Sequence, residues 1–175
     1  MPGLNAGAAF PLTTVSKLGG GTLTLGQPEG GRDWQLVVVY RGLHCPKCKT
    51  YLAKLEELTP AYHAEGVDVV TLSGDPQDKA QAMADEMGLT LPVGYDLSLE
   101  QMAQLGLYIS DPRSPQETDR PFPEPGAFVI NGAGKIQIID ISNAPFARPD
   151  LEGLLGGIKF VRANDYPIRG MRQSA

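Results

Sequence analysis

Trp34-Gln35-Leu36-Val37-Val38-Val39-Tyr40 is a nearly continuous β-branched run. It is too short for a helix and lacks a polar alternate face, so it predicts a strand buried on both sides, as in a parallel sheet. After the linker Arg41-Gly42-Leu43-His44, apolar residues recur at Leu52, Leu55, Leu58 and Tyr62. Spacings of three and four predict an amphipathic helix ending near Gly66. The alternation repeats in Val67–Leu72, a second buried strand closed by Gly74-Asp75-Pro76, and in Ala80, Met83, Ala84 and Met87, a short helix stopped by Gly88. Leu99, Met102 and Leu105 add another helical turn or two.

The flanks complete the layout. Thr22-Leu23-Thr24-Leu25, bracketed by glycines, alternates strictly and predicts half of an N-terminal hairpin. Five prolines between Ser110 and Pro125 predict loop. Ala127–Ile130, Asn131-Gly132 and Lys135–Ile139 predict two antiparallel strands. Leu151, Leu154, Leu155 and Ile158 give a last helix, weakened by Gly153, Gly156 and Gly157. Strand, helix, strand, helix, hairpin, helix is an α/β layout of three layers. Its active edge is expected at the carboxyl ends of the parallel strands.

At 175 residues the chain suits one domain and needs no disulfide or metal to fold. Its net charge of −5 offers no basic surface for nucleic acid or anionic lipid. No apolar run reaches the roughly 20 residues of a membrane span. The opening Met1-Pro2-Gly3-Leu4-Asn5 has no basic region followed by an apolar block. A cytoplasmic location is therefore expected, with neither membrane nor nucleic acid as partner.

Only two cysteines occur, in Cys45-Pro46-Lys47-Cys48. A close pair in an otherwise cysteine-free chain points to redox chemistry or to half of a metal site. Zinc needs four ligands, and His63 lies far along the helix from Cys45, on the order of 25 Å away. Cys45 falls where the buried strand has ended and the helix begins. Pro46 suits the first helical position, which makes Cys45 the N-cap, with free N–H groups favouring its thiolate. Arg41, His44 and Lys47 add cationic side chains nearby. Cys48, three residues on, shares the face of Cys45 and can close a disulfide with it. Arg41 is read as a thiolate partner rather than a strand cap. His44 is read first as a solvent-exposed loop residue, and otherwise as a group tuning the thiolate at the substrate edge.

The Cys-Pro-x-Cys after Val37-Val38-Val39-Tyr40-Arg41-Gly42 resembles the AhpC/TSA-type peroxiredoxins and peroxiredoxin-like proteins of the thioredoxin superfamily. Ala9-Phe10-Pro11-Leu12, Leu72-Ser73-Gly74-Asp75, Tyr95-Asp96 through Leu105-Gly106, and Gly126–Gly132 resemble further landmarks, so the likeness runs over about 8–140. It implies a thioredoxin-like domain over 1–175 with 141–175 as a C-terminal extension. The family's Pro-x-x-x-Thr-x-x-Cys is not kept: Val38 and Gly42 stand at the Pro and Thr positions. Where the family's late arginine would lie, the chain reads Glu124-Pro125-Gly126-Ala127. Those donors stabilise charge on a breaking O–O bond. Pro125 instead resembles the cis-proline that faces the Cys-x-x-Cys of thioredoxins, and so implies a substrate-docking edge. Arg148, in Asn143–Asp150, is set aside as a replacement for the missing arginine. An ordered turn capped by Asp150 explains that segment.

The resemblance implies a thiol oxidoreductase in which Cys45 attacks a peroxide or a disulfide. Cys48 resolves the product to an internal disulfide, and an external dithiol such as a thioredoxin system restores the reduced form. No Gly-x-Gly-x-x-Gly or P-loop pattern is present, so no cofactor and no metal are implied. A general thiol–disulfide oxidoreductase without peroxidase activity and a non-enzymatic redox sensor remain alternatives. The 165–169 tail is left between folding over the site and contacting a second subunit of a homodimer.

Overall fold

The computed structural model describes residues 3–172, so the opening Met1-Pro2 and the last three residues of the extension lie outside it. Strand β3 (Trp34–Val39) is central, paired in parallel with β4 (Val67–Leu72) and antiparallel with β8 (Gly126–Ile130). β4 pairs in parallel with β5 (Val93–Tyr95), and β8 antiparallel with β9 (Ile136–Ile141). The expected hairpin is β1 (Thr13–Lys17) with β2 (Thr22–Leu25), and β1 joins the sheet on β5. The seven strands run in the order β2-β1-β5-β4-β3-β8-β9.

Helices α1 (Pro46–Ala64), α2 (Gln77–Met87) and α4 (Leu151–Asn164) cover one face. Helix α3 (Leu99–Gln104) lies on the other, with Phe10 and the hairpin's inward residues. The β3 run divides between these two cores. Leu36, Val38 and Tyr40 join the α1 side, while Val37 and Val39 join the α3 side. That is the period-two alternation of a strand wet on neither face. The Ser110–Pro125 loop also carries a two-stranded ribbon, β6 (Ile109–Ser110) and β7 (Phe122–Pro123). Among the described residues no helix is long and apolar enough to cross a membrane.

Helix α1 buries Cys48, Leu52, Leu55, Thr59 and Tyr62, one stripe at alternating spacings of four and three. Two tyrosines on it fix the C-terminal extension. The Tyr51 hydroxyl donates to the Pro149 carbonyl at 2.7 Å, and the Tyr62 hydroxyl to the Leu151 carbonyl at 2.6 Å. Between those carbonyls stands Asp150, whose carboxylate accepts the Gly153 N–H at 2.7 Å and caps α4. This cap and burial of Leu151, Leu155 and Ile158 outweigh the glycines in α4. The tail turns away from the cysteines. Tyr166 packs on Phe160 beside a cleft containing Trp34, at the opposite end of β3, and Met171 lies against Gly7.

Removing the Tyr62 hydroxyl deletes a buried hydrogen bond to α4, so Tyr62→Phe is expected to cost about 0.5–1.5 kcal/mol in urea unfolding. Leu52→Ala, which opens a cavity under α1, is expected to cost about 2–5 kcal/mol. Unchanged midpoints would show that the helix pair does not carry the fold.

Candidate active site

Cys45 is the N-cap of α1: its backbone is extended, Pro46 occupies the first helical position, and its sulfur accepts the Cys48 N–H at 3.3 Å. The loop before it is held from β4's end. Asp75 accepts the Leu43 N–H at 2.7 Å, and a Cβ at Gly42, whose φ is +152°, would stand 2.9 Å from both the Asp75 carboxylate and the His44 ring. A side chain in place of Gly42 would strain the backbone and displace the Asp75 carboxylate and the His44 ring, which accounts for the glycine where the family's threonine is expected.

Both sulfurs are free thiols and both are buried, Cys45 at 1% exposure and Cys48 at 0%. The Cys48 thiol, the Cys48 N–H and the Arg41 guanidinium hold Cys45 down to about 5, against burial that opposes ionisation. Burial pushes Cys48 strongly upward, and the neighbouring Cys45 sulfur pushes the same way. These opposite shifts favour a thiolate at Cys45 beside a protonated Cys48.

Arg41 sits beside the cysteine pair. Its backbone N–H donates to Cys48 Sγ at 3.4 Å, and its guanidinium lies over the Phe122 ring at 4.8 Å. It is not a free cation. Its Nε stands 2.9 Å from Oε2 of the buried Glu124, at an angle unsuited to a hydrogen bond, while Nη2 donates to Oε1 at 3.4 Å. Ser110 steadies the same carboxylate, its hydroxyl donating to Oε1 at 2.7 Å.

His44 departs from the expectation of a solvent-exposed loop residue. It packs edge-on against Phe122 at 4.6 Å, with both ring nitrogens buried and unpartnered. Burial, and next the Arg41 charge, lower its pKa from 6.5, so the ring is neutral at pH 7 and adds no cation to the thiolate's field. Pro125 also departs, because no peptide bond among the described residues is cis. The chain runs extended from β7 into β8, pinned by the Glu124 N–H to the Tyr108 carbonyl (2.8 Å) and the Ser142 N–H to the Pro125 carbonyl (3.0 Å). Pro125 nonetheless borders a cavity of about 10 Å³ shared with Val38, Tyr51 and Arg148.

Arg148 is the residue that sequence reasoning set aside and the structure brings in. Its Nη2 lies 3.0 Å from Cys48 Sγ and 3.9 Å from Cys45 Sγ. Its Nε donates to the Pro145 carbonyl at 2.6 Å, and its guanidinium rests 5.0 Å from the Tyr51 ring centroid. The prolines at 145 and 149 were the visible signal of a rigid turn. Its approach to the sulfurs depends on the Tyr51 and Tyr62 contacts, which no local pattern reports. Among the described residues no cluster of three or more His, Cys, Asp or Glu side chains is arranged to hold a metal ion.

The AhpC/TSA family's model matches residues 6–139, and the chain belongs to that family. It resembles the thiol-disulfide oxidoreductase ResA of Geobacillus thermodenitrificans (strain NG80-2), at 24% identity over 119 residues. That match covers 67% of this chain and 59% of the relative. Among solved structures, the peroxiredoxin-like protein of Aquifex aeolicus superimposes with a TM-score of 0.75 at 19% identity, covering 92% of this chain and 90% of its own. A reduced 2-Cys peroxiredoxin of Plasmodium vivax gives 0.77 at 15%, covering 98% and 91%. At these identities the structural likeness is one of fold, and it bears out the thioredoxin-like α/β expectation.

Alkylation of the reduced protein by iodoacetamide, followed by mass, reports the thiolate directly. The rate is expected to be flat around neutrality and to halve near pH 5 as Cys45 takes up its proton. Arg41→Gln should move that midpoint upward. A midpoint near an ordinary thiol's, about 8.5, would contradict the assignment.

Proposed function

We propose that this chain is a thiol peroxidase for small hydroperoxides that cycles between the Cys45–Cys48 dithiol and an internal disulfide. The observation that carries the reading is a thiolate-forming pair buried to within 1% and flanked by the Arg41 and Arg148 guanidinium groups. A site this closed suits a small oxidant better than a folded protein's disulfide. The Cys45 thiolate attacks the distal peroxide oxygen, a sulfur–oxygen bond forms, the O–O bond breaks, and the alcohol or water leaves with the peroxide's proton. Cys45 is then a sulfenic acid after taking up one proton. Cys48 displaces its hydroxyl as water to give the disulfide. An external dithiol returns both sulfurs to thiols and leaves as its own disulfide. Guanidinium groups at the sulfurs supply donors where the family's threonine and arginine are absent.

Thiol–disulfide exchange is the second reading, favoured by the Cys-Pro-Lys-Cys pair and by the likeness to a protein named as a thiol-disulfide oxidoreductase. Rapid-quench mass spectrometry on reduced protein separates the two. With hydrogen peroxide, the pair is expected to become a disulfide about a hundredfold or more faster than free cysteine thiolate oxidises, the scale of preorganised charge stabilisation. A peroxide rate no higher than free cysteine's, beside rapid exchange with glutathione disulfide, would overturn the peroxidase reading in favour of exchange.

A further inference from the structure

Arg148 lies beyond residue 139, where the match to the family ends. It stands closer to Cys48, at 3.0 Å, than to Cys45, at 3.9 Å. The Arg41 backbone N–H also converges on Cys48 Sγ, at 3.4 Å. Two donors therefore meet at the sulfur that has to resolve the sulfenic acid, beside the Cys48 N–H that meets the nucleophile. That sulfur has no solvent exposure. A buried thiol must still become a thiolate to attack, and burial opposes the charge unless a cation or donor meets it.

Arg148 is equipped to meet it. Among the described residues no carboxylate lies within ion-pair distance of its guanidinium, whereas Arg41 is tied to Glu124. Its Nη1 is buried and unpartnered, and its Nε is engaged by its own turn. The Tyr51 and Tyr62 hydroxyls fix the backbone just after it, so the group is set in place before any reaction.

We propose that Arg148 is a catalytic residue of the resolution step, its guanidinium stabilising the negative charge that develops on the Cys48 sulfur as that sulfur loses its proton and displaces hydroxide from the Cys45 sulfenic acid. The proposal rests on the peroxidase reading above. In the step the S–S bond forms and the Cys45 S–O bond breaks. The departing hydroxide takes up the proton that Cys48 gave away and leaves as water. Cys48 is oxidised and Cys45 reduced to the common disulfide level.

Rapid quench of wild type, Arg148→Gln and Arg148→Lys resolves sulfenic acid formation from disulfide formation. In Arg148→Gln the second step is expected to slow about tenfold or more, the scale of losing a charge-assisted hydrogen bond, with a smaller change in the first. Excess peroxide should then drive Cys45 on to sulfinic acid, and Arg148→Lys should recover part of the second rate. Equal slowing of both steps, or slowing confined to the first, would overturn the proposal. A second measurement needs no peroxide. In a Cys45→Ser background, Arg148→Gln should slow the alkylation of Cys48 at a fixed alkaline pH, and an unchanged rate would show that Arg148 does not stabilise charge on that sulfur. Failure of the wild type to form sulfenic acid would overturn the peroxidase reading instead, and the Cys48 alkylation rate reports on Arg148 independently of it.

Discussion

The hydrogen bond from the Cys48 N–H to Cys45 Sγ organises the molecule's chemistry. It exists because a strand buried on both faces ends at Val39 and a helix begins at Pro46, with one short loop between them. Helix starts leave N–H groups unpaired, and here a sulfur takes the place usually filled by a hydroxyl or carboxylate. A thiol in that position gains charge stabilisation that an ordinary cysteine lacks. Because Cys48 is the donor's own residue, the cap also fixes the spacing of nucleophile and resolving thiol. Catalytic geometry and helix initiation are one interaction.

Around that cap, charge is distributed unequally. Arg41 is anchored from the side by Glu124 and Phe122, so its position is set and part of its charge is offset. Arg148 arrives from the C-terminal extension without a carboxylate among the described residues and rests on Tyr51. Helix α1 thus presents both cysteines at its start and, through Tyr51 and Tyr62, positions the segment that brings Arg148 to them. The neutral His44 and the buried Asp75 shape the loop rather than add cations: burial lowers the first group's pKa and raises the second's.

The central strands, helix α1 and the cysteine N-cap were legible because each depends on neighbours a few residues away. The Val37–Val39 run, the three-and-four spacing from Leu52 to Tyr62, and Pro46 after Cys45 are local signals. Strand β5 was not legible, since it is short and is completed by pairing with the distant β1 and β4, and of the hairpin only the β2 half was located from the sequence. The same reason hid Arg148 and Glu124. Their partners lie 100 and 83 residues away, and nothing in Ala147-Arg148-Pro149 or Pro123-Glu124-Pro125 states which surface each side chain will meet. His44 was misjudged because a histidine in the short Arg41–His44 loop looks exposed until Phe122 closes over it. The resemblance of Pro125 to a cis-proline failed where the flanking ribbon and β8 keep the backbone extended.

The claim on which all of this depends is that two adjacent buried thiols carry a single negative charge at Cys45. Titrating the ultraviolet thiolate absorbance of the reduced wild-type protein tests it directly, with Cys45→Ser and Cys48→Ser as references. The account predicts one equivalent of thiolate appearing near pH 5, absent in Cys45→Ser, and no second equivalent through the ordinary thiol range. Two equivalents ionising together near about pH 8.5, as unperturbed cysteines do, would contradict it.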